Sequence, residues 1–123
     1  MSTPSPARRG LGRRLRIKHG RDFARVRLAG QRTVQGCLVA NWMRLPDGAA
    51  SRLGVVVSKK VGGAVVRSRA KRWMRETFRL HRQELSAPVD LVLVARNSIL
   101  QQGFAGVEKD FLKTMRKVGL LDE

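Results

Sequence analysis

The chain has 123 residues, which is long enough for one hydrophobic core without disulfides or metal. Its 26 Lys and Arg residues outnumber 9 Asp and Glu residues, giving a formal net charge of +17. Such an excess indicates a partner that is a phosphate polymer or an anionic membrane. The apolar runs are too short for a membrane span, and the N-terminal residues lack the apolar segment of a secretory signal. We expect a cytoplasmic protein and, of these two classes of partner, a phosphate polymer and no membrane.

The single cysteine, Cys37, excludes an intramolecular disulfide and a Cys-based zinc site. Its apolar surroundings predict a small core residue in a reducing compartment. Residues 1–15 are rich in Ser, Pro, Gly and Arg and predict a flexible basic arm. Residues 16–123 are then expected to form one domain.

The first periodic segments predict a short helix and two stretches of β-structure. Residues 22–29 favour a helix with Asp22 as N-cap and Gly30 after its end. Residues 33–45 alternate like a strand but are long for one, so a break near Gly36 is an alternative. Residues 53–58 are apolar throughout, which is typical of a strand covered on both faces. Further along, residues 89–95 predict a strand, and residues 104–118 predict an amphipathic helix that packs on the core.

Residues 65–85 form the most basic stretch of the chain. At roughly 100° per residue, one side of a helix here is apolar and sheet-facing: Val66, Ala70, Trp73, Met74, Thr77 and Phe78. The opposite side gathers Lys71, Arg72, Arg75, Arg79 and Arg82, with Arg67 and Arg69 at its flanks. A merely solvated face normally mixes charge signs, so this one predicts a surface for a polyanion. The helix starts between Ala64 and Ser68, and the earlier start keeps Val66 in phase.

Residues that would support catalysis by this chain alone are scarce. The two histidines, His19 and His81, lie far apart, and no Cys, His or carboxylate spacing matches a metal site. Nine acids are few for a nuclease that binds Mg²⁺ through its own carboxylates. The residues themselves therefore predict a nucleic-acid binder rather than a protein-only nuclease.

The run GVVVSKKVGGAVVRSRAKRWMRETFR, residues 54–79, resembles the signature of the bacterial ribonuclease P protein subunit. The matching residues are Ser58, Lys59, Lys60, Gly62, Ala64, Val65, Arg67, Arg69, Lys71, Arg72, Arg75, Glu76, Phe78 and Arg79. The flanks also match, at Leu15, Arg16, Asp22, Phe23 and Val26 before the run and at Asp90, Val92, Ala95 and Arg96 after it. The resemblance covers about residues 11–120. Two departures are Ser68, where the family has Asn, and Arg27, where it often has a second aromatic residue.

The resemblance implies an α+β fold, an α/β sandwich like ribosomal protein S5 domain 2. About four strands form a small mixed sheet with helices packed on it, in the order helix, three strands, helix, strand, helix. Residues 16–123 would be a single ribonuclease P protein domain. The family has a left-handed β-α-β crossover, whereas general rules alone favour a right-handed one.

The resemblance also implies a function. The chain would be the protein subunit of ribonuclease P, in which the RNA subunit is the catalyst. Mg²⁺ would be held mainly by that RNA and by substrate phosphates, with none bound by protein side chains alone. The partners would be ribonuclease P RNA, in a 1:1 complex, and precursor tRNA, whose 5′ leader is removed. The alternative is a free-standing RNA-binding or ribosomal-type protein without a role in cleavage.

Site residues follow from the same resemblance. The residues expected to face the catalytic RNA are Lys59, Lys60, Arg67, Ser68, Arg69, Lys71, Arg72 and Arg75. A cleft between the first helix and the sheet would hold the leader, lined by Lys18, Phe23, Arg27 and Trp42. The family has an aromatic residue on this strand, which can align with Asn41 instead of Trp42.

Overall fold

The computed structural model describes residues 11–122, which form three α-helices and four β-strands. The helices are α1 (Gly20–Ala29), α2 (Ala64–His81) and α3 (Ile99–Lys117). The strands are β1 (Gln31–Gln35), β2 (Leu38–Arg44), β3 (Arg52–Val56) and β4 (Val89–Ala95). Two short 3₁₀ turns, Arg13–Leu15 and Arg82–Glu84, precede α1 and follow α2. Within this described part, no helix is both long and apolar enough to cross a membrane.

The strands form one mixed sheet in the order β1-β2-β4-β3. The pairs β1–β2 and β2–β4 are antiparallel, whereas β3 and β4 are parallel and are joined through α2. The expected α+β fold with a four-stranded mixed sheet and a β-α-β crossover is therefore confirmed. The left hand of the crossover stays a prediction.

The sheet is covered on both faces because successive side chains of a strand point to opposite sides. Leu38 and Ala40 of β2 belong to the larger core, which also contains buried residues of α2 and α3. Val92 of β4 belongs to a smaller core with Val26 of α1 and Ile17. The result is a sandwich with α1 on one face of the sheet and α2 with α3 on the other.

The turn between β1 and β2 confirms the break near Gly36, which has a φ of +57°. Cys37, in the same turn, is 1% exposed, as expected of a core residue. Its backbone N–H donates a hydrogen bond to the Asp110 carboxylate at 2.9 Å. Burial and the neighbouring Asp110 raise the pKa of the Cys37 thiol to about 12, so the thiol stays protonated at neutral pH.

Several boundaries differ from the sequence-based expectation. Helix α1 begins two residues before Asp22, so Asp22 lies in the first turn and is not its N-cap. Strand β3 ends at Val56, which is 38% exposed because β3 is an edge strand whose second half is uncovered. Helix α3 begins at Ile99, and Gly103, with a φ of +65°, interrupts its helical geometry.

The predicted arm boundary at residue 15 is too late. Leu11 is only 2% exposed and packs in the larger core. Farther along, the N–H of Ile17 donates to the carbonyl of Leu53 at 2.9 Å, so the chain runs along the free edge of β3. The buried Leu11 side chain and the Ile17 hydrogen bond anchor this segment. Residues 1–10 of the predicted arm lie outside the described residues.

Candidate nucleic-acid interface

Helix α2 begins at Ala64, the earlier of the two predicted starts, with Gly63 as N-cap. Its buried face holds the side chains predicted for it, with Trp73 and Val66 partly buried beside Ala70, Met74, Thr77 and Phe78. Lys59 and Lys60 are exposed in the turn just before the helix. These lysines therefore stand next to the helix N-terminus, where backbone N–H groups and the helix dipole both favour an anion.

The exposed side of the first turns of α2 carries a shallow cavity of about 320 Å³. It is lined by Ala64, Val65, Ser68, Arg69 and Arg72. Val65 is 74% exposed, so an apolar surface lies between two guanidinium groups. Arginine can hold a phosphate with two donors or stack on a base, which suits this surface to RNA.

The remaining cations of α2 do not form one unbroken row. Arg67 is half-buried, and its Nε donates a hydrogen bond to the Gly62 carbonyl at 3.2 Å. Arg79 pairs with Glu76 on the same helix, and this hydrogen bond lowers the pKa of the Glu76 carboxyl. Arg82 lies beyond the helix end in the 3₁₀ turn. The predicted five-cation side is therefore shorter than expected, because the last turn of α2 is neutralised by its own acid.

A second, larger cavity opens at the free edge of β3 and has a volume of about 530 Å³. We call it the β3-edge pocket. The described residues that line it are Arg13, Arg16, Ile17, Lys18, Phe23, Leu53, Gly54, Val55 and Arg75. They include four cations and one aromatic ring but no acid. Cations that track a phosphate backbone beside a ring that stacks on a base are the usual elements of a single-strand site.

The Phe23 ring lies directly over Gly54 of β3. A methyl group placed on Gly54 would come within 2.7 Å of the ring atoms Cε1 and Cζ, whereas ordinary contacts begin at 3.4 Å. Only glycine therefore leaves room for the ring at this place. Phe23 remains partly exposed, so one face of the pocket is an aromatic surface.

Two arginines approach each other in the same pocket. Burial and the positive charge of Arg16 lower the pKa of Arg75, although a guanidinium keeps its proton in proteins. Arg16 is held in place by a hydrogen bond from its Nε to the Leu11 carbonyl at 3.0 Å. Since like charges repel, a bound anion would relieve this crowding.

The structure brings together only part of the predicted leader cleft. Lys18 and Phe23 line the β3-edge pocket, whereas Arg27 is exposed one helical turn farther along α1 and outside the pocket lining. Trp42 was wrongly placed in the cleft, because it is 5% exposed in the larger core. Alternation along β2 turns Trp42 toward α2 and α3 and Asn41 toward α1.

Three pocket residues were missed. The sequence pattern places Arg13 in the arm and Gly54 in a strand, with no site role for either. Arg16 and Gly54 both lie within the runs that match the family, so the sequence marks both positions without indicating a role for them. Arg75 was assigned to the RNA-facing helix, and the structure places its side chain in the pocket as well.

Next to Phe23 in sequence and to Gly54 in β3 lies a set of paired charges, the α1 ion cluster, formed by Asp22, Arg25, Arg52 and Asp90. The Asp90 side chain is 0% exposed and accepts two hydrogen bonds from Arg52, from Nε at 2.9 Å and from Nη2 at 2.8 Å. Arg25 lies 3.2 Å from Asp22 and 3.6 Å from Asp90, and Arg52 lies 3.7 Å from Asp22. The hydrogen bonds to Asp90 raise the pKa of Arg52. The two carboxylates are thus matched by two guanidinium groups.

This pairing bears on metal binding. Carboxylates that hold Mg²⁺ direct their oxygens at the ion, whereas those of the α1 ion cluster are directed at arginines. Across residues 11–122, no group of three or more His, Cys, Asp or Glu side chains is arranged to hold a metal ion. These residues are not a fitting donor set for Mg²⁺.

Comparison with known proteins agrees with these features. The sequence model of the Ribonuclease P family matches residues 11–119. The chain is 35% identical over 109 residues to the ribonuclease P protein component of Geobacillus thermodenitrificans, covering 89% of this chain and 90% of that protein. The chain is 37% identical over 106 residues to the ribonuclease P protein component of Gluconacetobacter diazotrophicus, covering 85% of this chain and 91% of that protein. The solved structure of the Staphylococcus aureus RNase P protein superposes with a TM-score of 0.78 at 26% identity, covering 88% of this chain and 98% of that one. The chain therefore belongs to the ribonuclease P protein family.

Proposed function

We propose that this chain, as a protein component of ribonuclease P, binds the RNA of that enzyme along α2 and holds the 5′ leader of precursor tRNA in the β3-edge pocket. The observation that carries the proposal is the pocket itself, in which four cations surround one aromatic ring beside the basic helix. The alternative of a free-standing RNA-binding protein leaves this second, separate site without a role.

The RNA-facing part of the proposal rests on the first turns of α2. Arg69 and Arg72 are exposed and line the same shallow cavity as Val65, and Ser68 adds a hydroxyl that can donate to or accept from a phosphate or a ribose. Lys59 and Lys60 extend the same positive surface to the turn before the helix. Arg67 and Lys71, both half-buried, form its flank. Each phosphate contact of this kind adds affinity that falls as salt rises.

The leader-facing part of the proposal rests on the β3-edge pocket. A single strand can place its phosphates against Arg13, Arg16 and Lys18 while one base stacks on Phe23. Arg27 lies one turn beyond Phe23 and is exposed, so it can meet the next phosphate. Mature tRNA lacks the leader and forgoes these contacts, which gives the complex a reason to prefer the precursor.

Catalysis in this proposal is carried by the RNA subunit. Mg²⁺ would be held mainly by that RNA and by substrate phosphates, where it would supply an activated water and stabilise the leaving oxygen. The residues of this chain reduce repulsion between the phosphates of the two RNAs and position the strand to be cut. A 1:1 complex with the RNA in the bacterial cytoplasm belongs to the same proposal.

The test is reconstitution with a bacterial ribonuclease P RNA and a precursor tRNA at low Mg²⁺, with protein alone and RNA alone as controls. We expect correct 5′ processing only when both components are present. Cleavage by protein alone would contradict the assignment of catalysis to RNA. Tight RNA binding without any gain in processing would favour the free-standing RNA-binding protein instead.

Two substitutions separate the two sites. Arg69→Ala should weaken binding to ribonuclease P RNA and leave the leader preference unchanged, where leader preference means the ratio of affinities for leader-bearing and mature tRNA. Phe23→Ala should do the reverse, lowering the leader preference by about 5-fold or more, because stacking on one base is worth about 1–3 kcal/mol. Equal losses for both tRNAs with Phe23→Ala would return Phe23 to a purely structural role.

A further inference from the structure

We infer that the α1 ion cluster sets the leader preference by positioning Phe23, so that Asp22 acts as a positioning residue for substrate recognition. This inference rests on the proposed function of the β3-edge pocket. It assigns a role to buried charges that touch no RNA in that proposal.

The cluster connects the two elements that form opposite sides of the contact between Phe23 and Gly54. Asp22 immediately precedes Phe23 in α1, and Arg52 stands two residues before Gly54 in β3. Arg52 approaches Asp22 at 3.7 Å and at the same time forms a two-point hydrogen bond with Asp90 of β4. The helix that carries the ring is thereby tied to the strand under the ring and to its parallel neighbour.

Burial makes this connection suited to positioning. Asp90 is fully buried, and the Asp22 and Arg52 side chains are 12% and 29% exposed, so water and salt screen their interactions weakly. Arg25, at 50% exposure, adds a weaker contact from the same helix. By contrast, the apolar contacts of α1 involve only a small core, centred on Val26, Ile17 and Val92. Apolar packing is non-directional, whereas the ion pair between Asp22 and Arg52 favours an approach of α1 that brings its first turn to β3.

The substitution Asp22→Asn tests this inference because its two possible effects have opposite signs. It removes a negative charge near a site for an anionic strand, so a purely electrostatic effect would strengthen leader binding. Loss of positioning would weaken it. The variant keeps the shape of the side chain and leaves the Arg52–Asp90 pair intact, so no buried charge loses its main partner.

We expect Asp22→Asn to lower the leader preference of the reconstituted enzyme by about 3- to 10-fold, and by less than Phe23→Ala does, because the variant displaces the stacking ring and does not remove it. Affinity for ribonuclease P RNA should stay unchanged, because α2 packs on the other face of the sheet. In a Phe23→Ala background, Asp22→Asn should cause no further loss, since residues that act through one group are not additive. Arg25→Ala should change the leader preference in the same direction and by less.

Glu108→Gln is the matched control. It removes a negative charge from a partly buried pair with His81 between α3 and α2, outside the pocket lining, and should lower the melting temperature without changing the leader preference. An unchanged or increased leader preference with Asp22→Asn, or a further loss in the Phe23→Ala background, would overturn the inference. A loss of RNA affinity in parallel would also overturn it and reduce the cluster to a structural role. If Phe23→Ala itself leaves the leader preference intact, the proposed function of the pocket fails instead, which separates the two failures.

Discussion

The substitution Gly54→Ala should disable leader recognition in a protein that still folds. The added methyl group would lie 2.7 Å from two atoms of the Phe23 ring, about 0.7 Å closer than the 3.4 Å at which ordinary contacts begin. Ile17, whose Cβ would be 3.3 Å away, limits movement on another side. The ring is partly exposed, so it can relieve the clash by moving outward, and the pocket then loses its stacking surface.

Two opposing effects limit the expected cost to stability. Overpacking of a filled site costs about 1–3 kcal/mol. Alanine in a strand gains back about 0.5–1 kcal/mol relative to glycine through lower backbone entropy in the unfolded chain. The net destabilisation is therefore about 0–2.5 kcal/mol, whereas the lost stacking on one base is worth about 1–3 kcal/mol of binding, or roughly 5- to 150-fold in leader preference.

The assay compares the affinities of the reconstituted enzyme for leader-bearing and mature tRNA, alongside a thermal melt of the free protein. Gly20→Ala is the matched control, because a methyl group there meets nothing within 4 Å at the start of α1. It should leave the leader preference unchanged. A folded Gly54→Ala variant with full leader preference would refute the reasoning, since Phe23 would then have no need of its place over Gly54.

Three further predictions concern other parts of the molecule. Burial lowers the pKa of His81, but hydrogen bonds with Glu108 and Glu84 outweigh burial and raise it. Protonated His81 therefore stabilises the fold below pH 6.5, and this stabilisation is lost as pH rises through the raised pKa. Thermal melts between about pH 5 and 8 should show this loss, which Glu108→Gln should reduce, because Glu84 remains as a partner, while lowering the melting temperature at low pH by about 1–5 °C. Arg72→Ala should reduce the slope of log K against log salt for RNA binding by about 0.7–0.9, as expected for one phosphate contact, and an unchanged slope would argue against that contact. Trp42→Phe should leave the leader preference unchanged, because the indole lies in the larger core, and a loss measured by the same affinity ratio would return Trp42 to the cleft.

Local patterns predicted the elements of the fold well. The strand at residues 89–95 and the start of α2 at Ala64 agree with the structure, because alternation and helical periodicity depend on neighbours in sequence. The break at Gly36 was also recoverable, since a glycine in the left-handed region interrupts a strand pattern. The basic surface of α2 followed from the same periodicity.

The leader site was less predictable because it depends on which face of the sheet each helix covers. Alternation along β2 places Trp42 opposite Asn41, but nothing in the local pattern states which of the two meets α1. The same applies to Asp22, whose position before an apolar segment is typical of an N-cap. In the structure its partners are Arg25, three residues away, and Arg52, thirty residues away. Contacts between segments distant in sequence decided both cases.

Arg75 explains how the two proposed sites can act together. It projects from the flank of the basic helix and also lines the β3-edge pocket beside Arg16 and Phe23. Because its pKa is lowered by burial and by Arg16 while its charge persists, one phosphate entering here is attracted by two guanidinium groups and relieves their repulsion. When a precursor tRNA docks on the ribonuclease P RNA bound along α2, its leader would meet this pair in the same pocket as the aromatic ring. The positive charge is therefore continuous from the RNA-facing helix into the pocket, and the path that it defines runs around the free edge of β3.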